Sequence, residues 1–219
     1  MVNREGGKNP SGTGLTPGVN FCQKDYLRAG VSSDYVYDPN KQWYVLRASY
    51  GREYKAYEYL ISRGVDAYYP VRLMIKQYGN VKKRVLESLL PNILFAYCTQ
   101  EQAKMYVEQT PALDFLTYYI NRLVARSDGK RTLPLTVRYE QMMNFIALTS
   151  IHDEHIRVVD NAHCHYKSGD RVKIVDGAFI GVEGRVARVA GQQRVIVEVE
   201  GLCKVATAYI PTAFLEIQH

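Results

Sequence analysis

Large apolar and polar positions begin to alternate in a readable way at Gln42. Trp43-Tyr44-Val45-Leu46 is an aromatic-led run of β-favouring residues, and it predicts a buried strand from Trp43 to Tyr50. Ala56, Tyr57, Leu60 and Ile61 then share one face at helical spacing, which predicts a helix over Arg52–Arg63 stopped by Gly64. Its other face carries Arg52, Lys55, Tyr59 and Ser62. Glu53 falls on the apolar side but in the first turn, where the helix dipole favours an acid. Val65–Val71 is the next predicted strand. Leu73–Tyr78 and Val81–Val85 flank Gly79-Asn80, a favoured two-residue turn, and predict a hairpin. Ile93–Tyr97 is a compact apolar strand. Thr99 with Gln102 three residues on is a capping box for a second helix, with Ala103, Tyr106 and Val107 inward and Pro111 beyond its end. Phe115–Ile120 is expected to be a strand, and Thr136 to cap a third helix striped by Tyr139, Met142, Met143 and Ile146. The methionine pair is read as core filling.

The pattern changes twice more. Residues 1–41, rich in Gly, Pro, Ser and Asn, have no periodicity and are expected to be a disordered leader. Residues 151–166 are polar with weak periodicity and are expected to be a linker. After it, Arg171–Val175, Gly184–Val189, Arg194–Glu200, Lys204–Ile210 and Phe214–Ile217 are five short strands punctuated by glycines, the spacing of a small barrel. The expected fold class is α+β, with domains at 42–150 and 167–219.

Charge sharpens this division. The chain of 219 residues has a net charge of +6. Residues 42–150 hold fifteen Lys/Arg against nine Asp/Glu, whereas residues 167–219 hold seven against six. The first unit therefore carries the excess, which favours a nucleic acid or an acidic protein as partner. No apolar run approaches the roughly 18 residues of a membrane span. The first residues lack a signal-peptide core, so a cytoplasmic protein without a membrane partner is expected. The four cysteines form no C-x-x-C pair, in keeping with buried or idle thiols in a reducing compartment. His152, His155, His163, Cys164 and His165 could ligate a metal but match no familiar zinc spacing. No phosphate-loop, nucleophile-elbow or zincin motif is present. The reading is of a non-enzyme with no cofactor and no metal.

Two ordered motifs carry a resemblance. Trp43-Tyr44-Val45 followed by Leu90-Pro91-Asn92-Ile93-Leu94-Phe95, and then Gly169-Asp170-Arg171-Val172 with Gly177–Gly184, together resemble the NusG family of transcription factors. The first two look like the opening and signature strands of its NGN domain, and the last two like its KOW motif. The resemblance implies an antiparallel sheet flanked by helices, then a five-stranded KOW β-barrel. Asn92 and Ile93 depart from the usual Gly and Tyr of the signature. Asn92 is similar to the specialised paralogue RfaH, and the profile to the UpxY type of capsule-polysaccharide loci.

The family resemblance implies a transcription antitermination and elongation factor that binds RNA polymerase and suppresses pausing. The clamp helices of the β′ subunit would meet a hydrophobic depression around Tyr44, Leu90, Ile93 and Phe95. The polar helix face, Arg52, Lys55 and Tyr59, would touch the non-template DNA strand: cations hold phosphate and an aromatic stacks a base. Lys82, Lys83 and Arg84 are a further candidate nucleic-acid contact. Lys104, Met105 and Tyr106 lie roughly where the family faces the β subunit. The KOW domain would meet Rho or a small-subunit ribosomal protein through Gly201, Leu202 and Lys204. The alternative is a KOW-type RNA-binding or ribosome-associated protein.

Overall fold

The computed structural model describes residues 35–120, 133–151, 153–160 and 165–218. In chain order the first part holds β1 (Gln42–Ala48), α1 (Glu53–Ser62), β2 (Asp66–Tyr68), β3 (Val71–Tyr78), β4 (Val81–Ser88) and β5 (Ile93–Cys98). There follow α2 (Gln100–Glu108), β6 (Leu116–Tyr118), β7 (Thr136–Val137) and α3 (Tyr139–Thr149). The second part holds β8 (Arg157–Val159), β9 (His165–Ile174), β10 (Glu183–Val189), β11 (Gln192–Val199), β12 (Cys203–Ala206) and β13 (Leu215–Ile217).

β1 is the centre of the first sheet. It pairs antiparallel with β5, Trp43 opposite Tyr97 and Arg47 opposite Ile93, and on its other side with β6 and β7. β2 extends the sheet beyond β5. Strand side chains alternate between faces, and here the alternation separates two cores. Tyr44, Leu46, Ala48, Leu94, Ala96 and Cys98 pack with Ala56, Tyr57 and Leu60 of α1 and Ala103 and Tyr106 of α2. Trp43, Val45, Phe95 and Tyr97 face the other way and pack with Met142, Phe145, Ile146 and Leu148 of α3. Trp43 is completely buried, its ring stacked on Tyr97 at 5.1 Å.

Several expectations hold. Thr99 accepts from the Gln102 amide while the Gln102 side chain accepts from the Thr99 N–H, completing the capping box. β3 and β4 form the hairpin around Gly79-Asn80, in unbroken register from Val71 opposite Ser88 to Tyr78 opposite Val81. Met142 is fully buried as core.

Others are corrected. Thr136 caps no helix: it lies in β7, opposite Tyr44, and α3 starts after Arg138, which makes no side-chain cap. A ladder partner outranked the local cap signal. The leader does not end loose at residue 41. Tyr35 is buried edge-on against Trp43 and donates its hydroxyl to Ala67 O, and Tyr97 and Asp38 exchange two hydrogen bonds. Residues 1–34 lie outside the described residues. The stretch 151–166 is not a plain linker either. Arg157–Val159 pairs with β12, and β9 already begins at His165. Buried Arg194 helps to hold this segment, donating to His155 O, Thr207 O and Gln192 Oε1.

The second sheet therefore has six strands, in the order β13-β9-β10-β11-β12-β8. The five expected strands are all represented, but among the described residues no ladder joins β13 to β8, so the pairing does not close into a barrel. Gly184 permits the close approach of β10 to β11: a Cβ there would lie 2.4 Å from Ile196 O. α3 joins the two parts. Its apolar face shares a core with Val172, Val195, Val197 and Val205 of the second sheet. At its surface Gln141 donates to Glu198 O at 2.8 Å, and the Asn144 amide both donates to Glu183 O and accepts the Glu183 N–H.

Candidate polymerase and nucleic-acid interface

The strand β1 ends in a turn whose geometry is unusual. Tyr50 and Gly51 both have left-handed backbones, with φ of 61° and 66°. Such a φ is uncommon for a tyrosine, and here it is held from outside. Asn92, itself left-handed at φ 65°, accepts the Gly51 N–H on its side chain at 3.0 Å and the Ala48 N–H on its carbonyl at 2.9 Å. That conformation explains why Gly would be usual at position 92. Asn tolerates it best among other residues, and its amide then serves as the tie. The Pro91 turn and the Tyr50 turn form one ridge, with the Tyr50 ring 91 % exposed at its crest.

Arg52 precedes α1 as its cap residue rather than lying within it. Its guanidinium sits 4.0 Å from the centre of the buried Phe115 ring and 5.6 Å from Tyr50, donates from Nε to Ser49 O, and lies 3.9 Å from the Asp114 carboxylate. Lys55, exposed one turn on, reaches to 5.7 Å over the same Phe115 ring. The two cations thus converge on one edge of the sheet. Tyr59 is separate from them. It is half-buried between α1 and α2, edge-on to Tyr106, with Arg63 over its face at 5.3 Å. The exposed aromatic beside Arg52 is Tyr50. Pattern alone could not rank it, because its exposure depends on the tie from Asn92, forty-two residues away.

The four residues expected around a hydrophobic depression are not brought together. Tyr44 is on the face covered by α1 and α2, whereas Leu90, Ile93 and Phe95 belong to the core shared with α3. All four are buried, Phe95 completely. Strand alternation is the reason: Tyr44 points opposite to its neighbours Trp43 and Val45. Of the three residues on α2, Lys104 and Met105 are exposed and Tyr106 is buried. In the second part Leu202 is half-buried against the shared core, and Lys204 pairs with Glu198 at 3.4 Å. The large exposed apolar residues of that part include Ile180 and Tyr209 instead.

Lys82 is exposed at the hairpin tip and Lys83 is partly so; Arg84 stands opposite Ile75 in the ladder. His152, His163 and Cys164 lie outside the described residues. Among the described residues no group of three His, Cys, Asp or Glu could hold a metal ion, and no helix is long and apolar enough to cross a membrane. Burial pushes the Cys98 and Cys203 thiols up to about 12, which leaves both unreactive at neutral pH.

Comparison with known proteins finds similarity over the same segment. Residues 41–146 match the family model described as "Transcription termination factor nusG". Proteins called "Transcription termination/antitermination protein NusG" from Streptococcus pyogenes serotypes M1 and M3 are each 25% identical to this chain over 160 residues. The match covers 68% of this chain and 82% of theirs. A solved structure described as "Domain interaction in Thermotoga maritima NusG" aligns with a TM-score of 0.38 and 19% identity, over 82% of this chain and 98% of that one. The segment built around the Trp43 and Pro91 strands is therefore the part of this chain that is similar to the NusG family.

Proposed function

We propose that this protein is a transcription antitermination and elongation factor that binds RNA polymerase and suppresses pausing and termination, within a polysaccharide-type operon. The observation that carries the reading is the NusG-family match over 41–146, the part of the chain that also carries the basic excess. Specialisation of the RfaH and UpxY kind rests on the signature strand, where Asn92 and Ile93 stand in place of Gly and Tyr.

On this reading the non-template DNA strand lies along the ridge at Tyr50, with Arg52 and Lys55 meeting phosphate and the exposed ring stacking a base. Arg52 would exchange its contact with Asp114 for a phosphate; that pair is exposed and weak. The β′ clamp helices are assigned to the apolar edge at Leu90 and Ile93. Both are buried, so a partner reaches them only by displacing what covers them. Lys104 and Met105 are the exposed positions of α2 available to the β subunit. The second part would serve as the KOW module for Rho or a small-subunit ribosomal protein. Its loop at Gly201, Leu202 and Lys204 offers little exposed apolar surface, which favours a weak Rho contact.

The test is multi-round transcription in vitro on a template with a long leader and a terminator. Increased read-through, abolished by Arg52→Glu with Lys55→Glu, is the expected result. Unchanged read-through on every leader, together with no binding to core polymerase, overturns the reading and favours the KOW-type RNA-binding alternative.

A further inference from the structure

The hairpin formed by β3 and β4 is not used by the reading above. Its base is anchored: Val71 and Leu86 are buried in the core beneath α1 and α2, and Leu89 N–H donates to Pro70 O. Its outer half is not. Ile75, Lys76, Gln77, Tyr78, Val81 and Lys82 are all exposed. Four ladder pairs, from Ile75 opposite Arg84 to Tyr78 opposite Val81, make up this outer half. At about 3.4 Å per residue it extends roughly 10 Å.

Its charges are placed against its own stability. Lys76 stands directly opposite Lys83, and like charges in that position are destabilising. Glu87 pairs with Arg72 and with Lys76, so it compensates one member of that pair and leaves Lys83 without a carboxylate among the described residues. Toward the tip, among the described residues, neither Lys82 nor Lys83 has an ion pair, and Lys83 lies 5.9 Å over the Tyr78 ring. Alternation puts Lys76, Tyr78, Val81 and Lys83 on one face and Ile75, Gln77 and Lys82 on the other. The ribbon thus carries cations on both faces and an aromatic and an aliphatic residue beside the Gly79-Asn80 tip.

We propose that this hairpin enters the major groove of duplex DNA tip first. A two-stranded ribbon with its side chains is about 10 Å thick, and the B-form major groove is about 12 Å wide and admits such a ribbon. Lys76 and Lys83 on one face and Lys82 on the other meet the two sugar–phosphate walls, which relieves the opposed lysine pair. Tyr78 and Val81 approach the base edges, where thymine methyl groups offer apolar contact. The deep, narrow major groove of an RNA duplex excludes the same ribbon.

The full-length protein tests this without polymerase, by fluorescence anisotropy on a 20-base-pair DNA duplex, its single strand and the RNA duplex of the same sequence. Expected are preference for duplex DNA and a loss of at least about tenfold for Lys82→Ala with Lys83→Ala. The slope of log affinity against log salt should fall by about 1.8 for two lost phosphate contacts. Equal duplex binding by the hairpin variant, a preference for the single strand or the RNA duplex, or no nucleic-acid binding at all overturns the proposal. The substituted side chains lie toward an exposed tip, so an unchanged melting temperature separates lost contact from lost fold. Polymerase is absent, so failure here leaves the transcription reading standing.

Discussion

The two faces of the first sheet are buried in different ways. One face is covered by α1 and α2, helices joined to β1 and β5 by short connections. The other is covered by α3 and is continuous with the core of the second sheet. The first face is therefore a private core that local contacts can complete. The second is shared, so the packing around Trp43, Phe95 and Phe145 ties the two parts of the molecule together. The exposed Tyr50 turn follows the end of central β1, and the hairpin lies in the chain between β2 and β5, so both covered faces serve to hold them in place.

Phe145→Ala breaks the shared face most directly. The ring is completely buried, with centroids 5.5 Å from Phe95 and 6.2 Å from Tyr68. The expected loss is about 3–5 kcal/mol. Denaturant unfolding followed by tryptophan emission and by amide exchange in the second sheet should shift together. A shift in the first signal alone would show that the cores are energetically separate.

Alkaline pH sharpens the comparison from the private face. Burial, with Glu53 nearby, raises Tyr69 from 10.0 to about 12, and burial raises Cys98 from 9.0 to about 12. Both are held protonated in the fold. The stability they contribute is fully present below pH 9 and is lost as pH rises toward 12. Melting temperature should fall across that window, and Tyr69→Phe should flatten the fall above pH 10. A fall of equal steepness in the variant would assign the effect elsewhere.

The smallest effect is expected from Thr99→Ala, which removes one half of the capping box of α2. A cost of about 1 kcal/mol is expected, with faster amide exchange at Gln102 and no change in the second sheet. If exchange there rises as well, the private face is less independent than its contacts imply.

Much of this architecture was legible in local chemistry. Thr99 and Gln102 marked a helix start, Gly79-Asn80 a hairpin, and Gly64 a helix end, because each conformation is set by residues within a few positions. What escaped was settled by distant partners. Thr136 has the side chain of a cap but lies opposite Tyr44. Arg157–Val159 is too short for a periodic signal and becomes a strand only beside β12. Tyr35 sits in a Gly- and Ser-rich stretch, and its burial follows from the pocket between Trp43 and Ala67. The basic pair Arg52 and Lys55 was visible as a helix face. Helical spacing sets Tyr59 beside them, but in the fold Tyr59 lies against Tyr106 and the exposed ring near Arg52 is Tyr50, whose prominence depends on a left-handed turn tied to Asn92. Of the residues expected around one depression, Tyr44 lies on the opposite face from Leu90, Ile93 and Phe95, and the period of two in a strand carries that separation from Trp43 and Val45 in the sequence itself.

The chain carries a single tryptophan, and Trp43 sits between Tyr35 and Tyr97 inside the shared core. Nature has in effect installed one fluorophore at the junction of the two parts. Its emission should be blue-shifted in the folded molecule and should move red when water reaches that core. Any separation of α3 from the sheet thus becomes an optical event, readable in an unlabelled protein and on the millisecond scale of stopped flow.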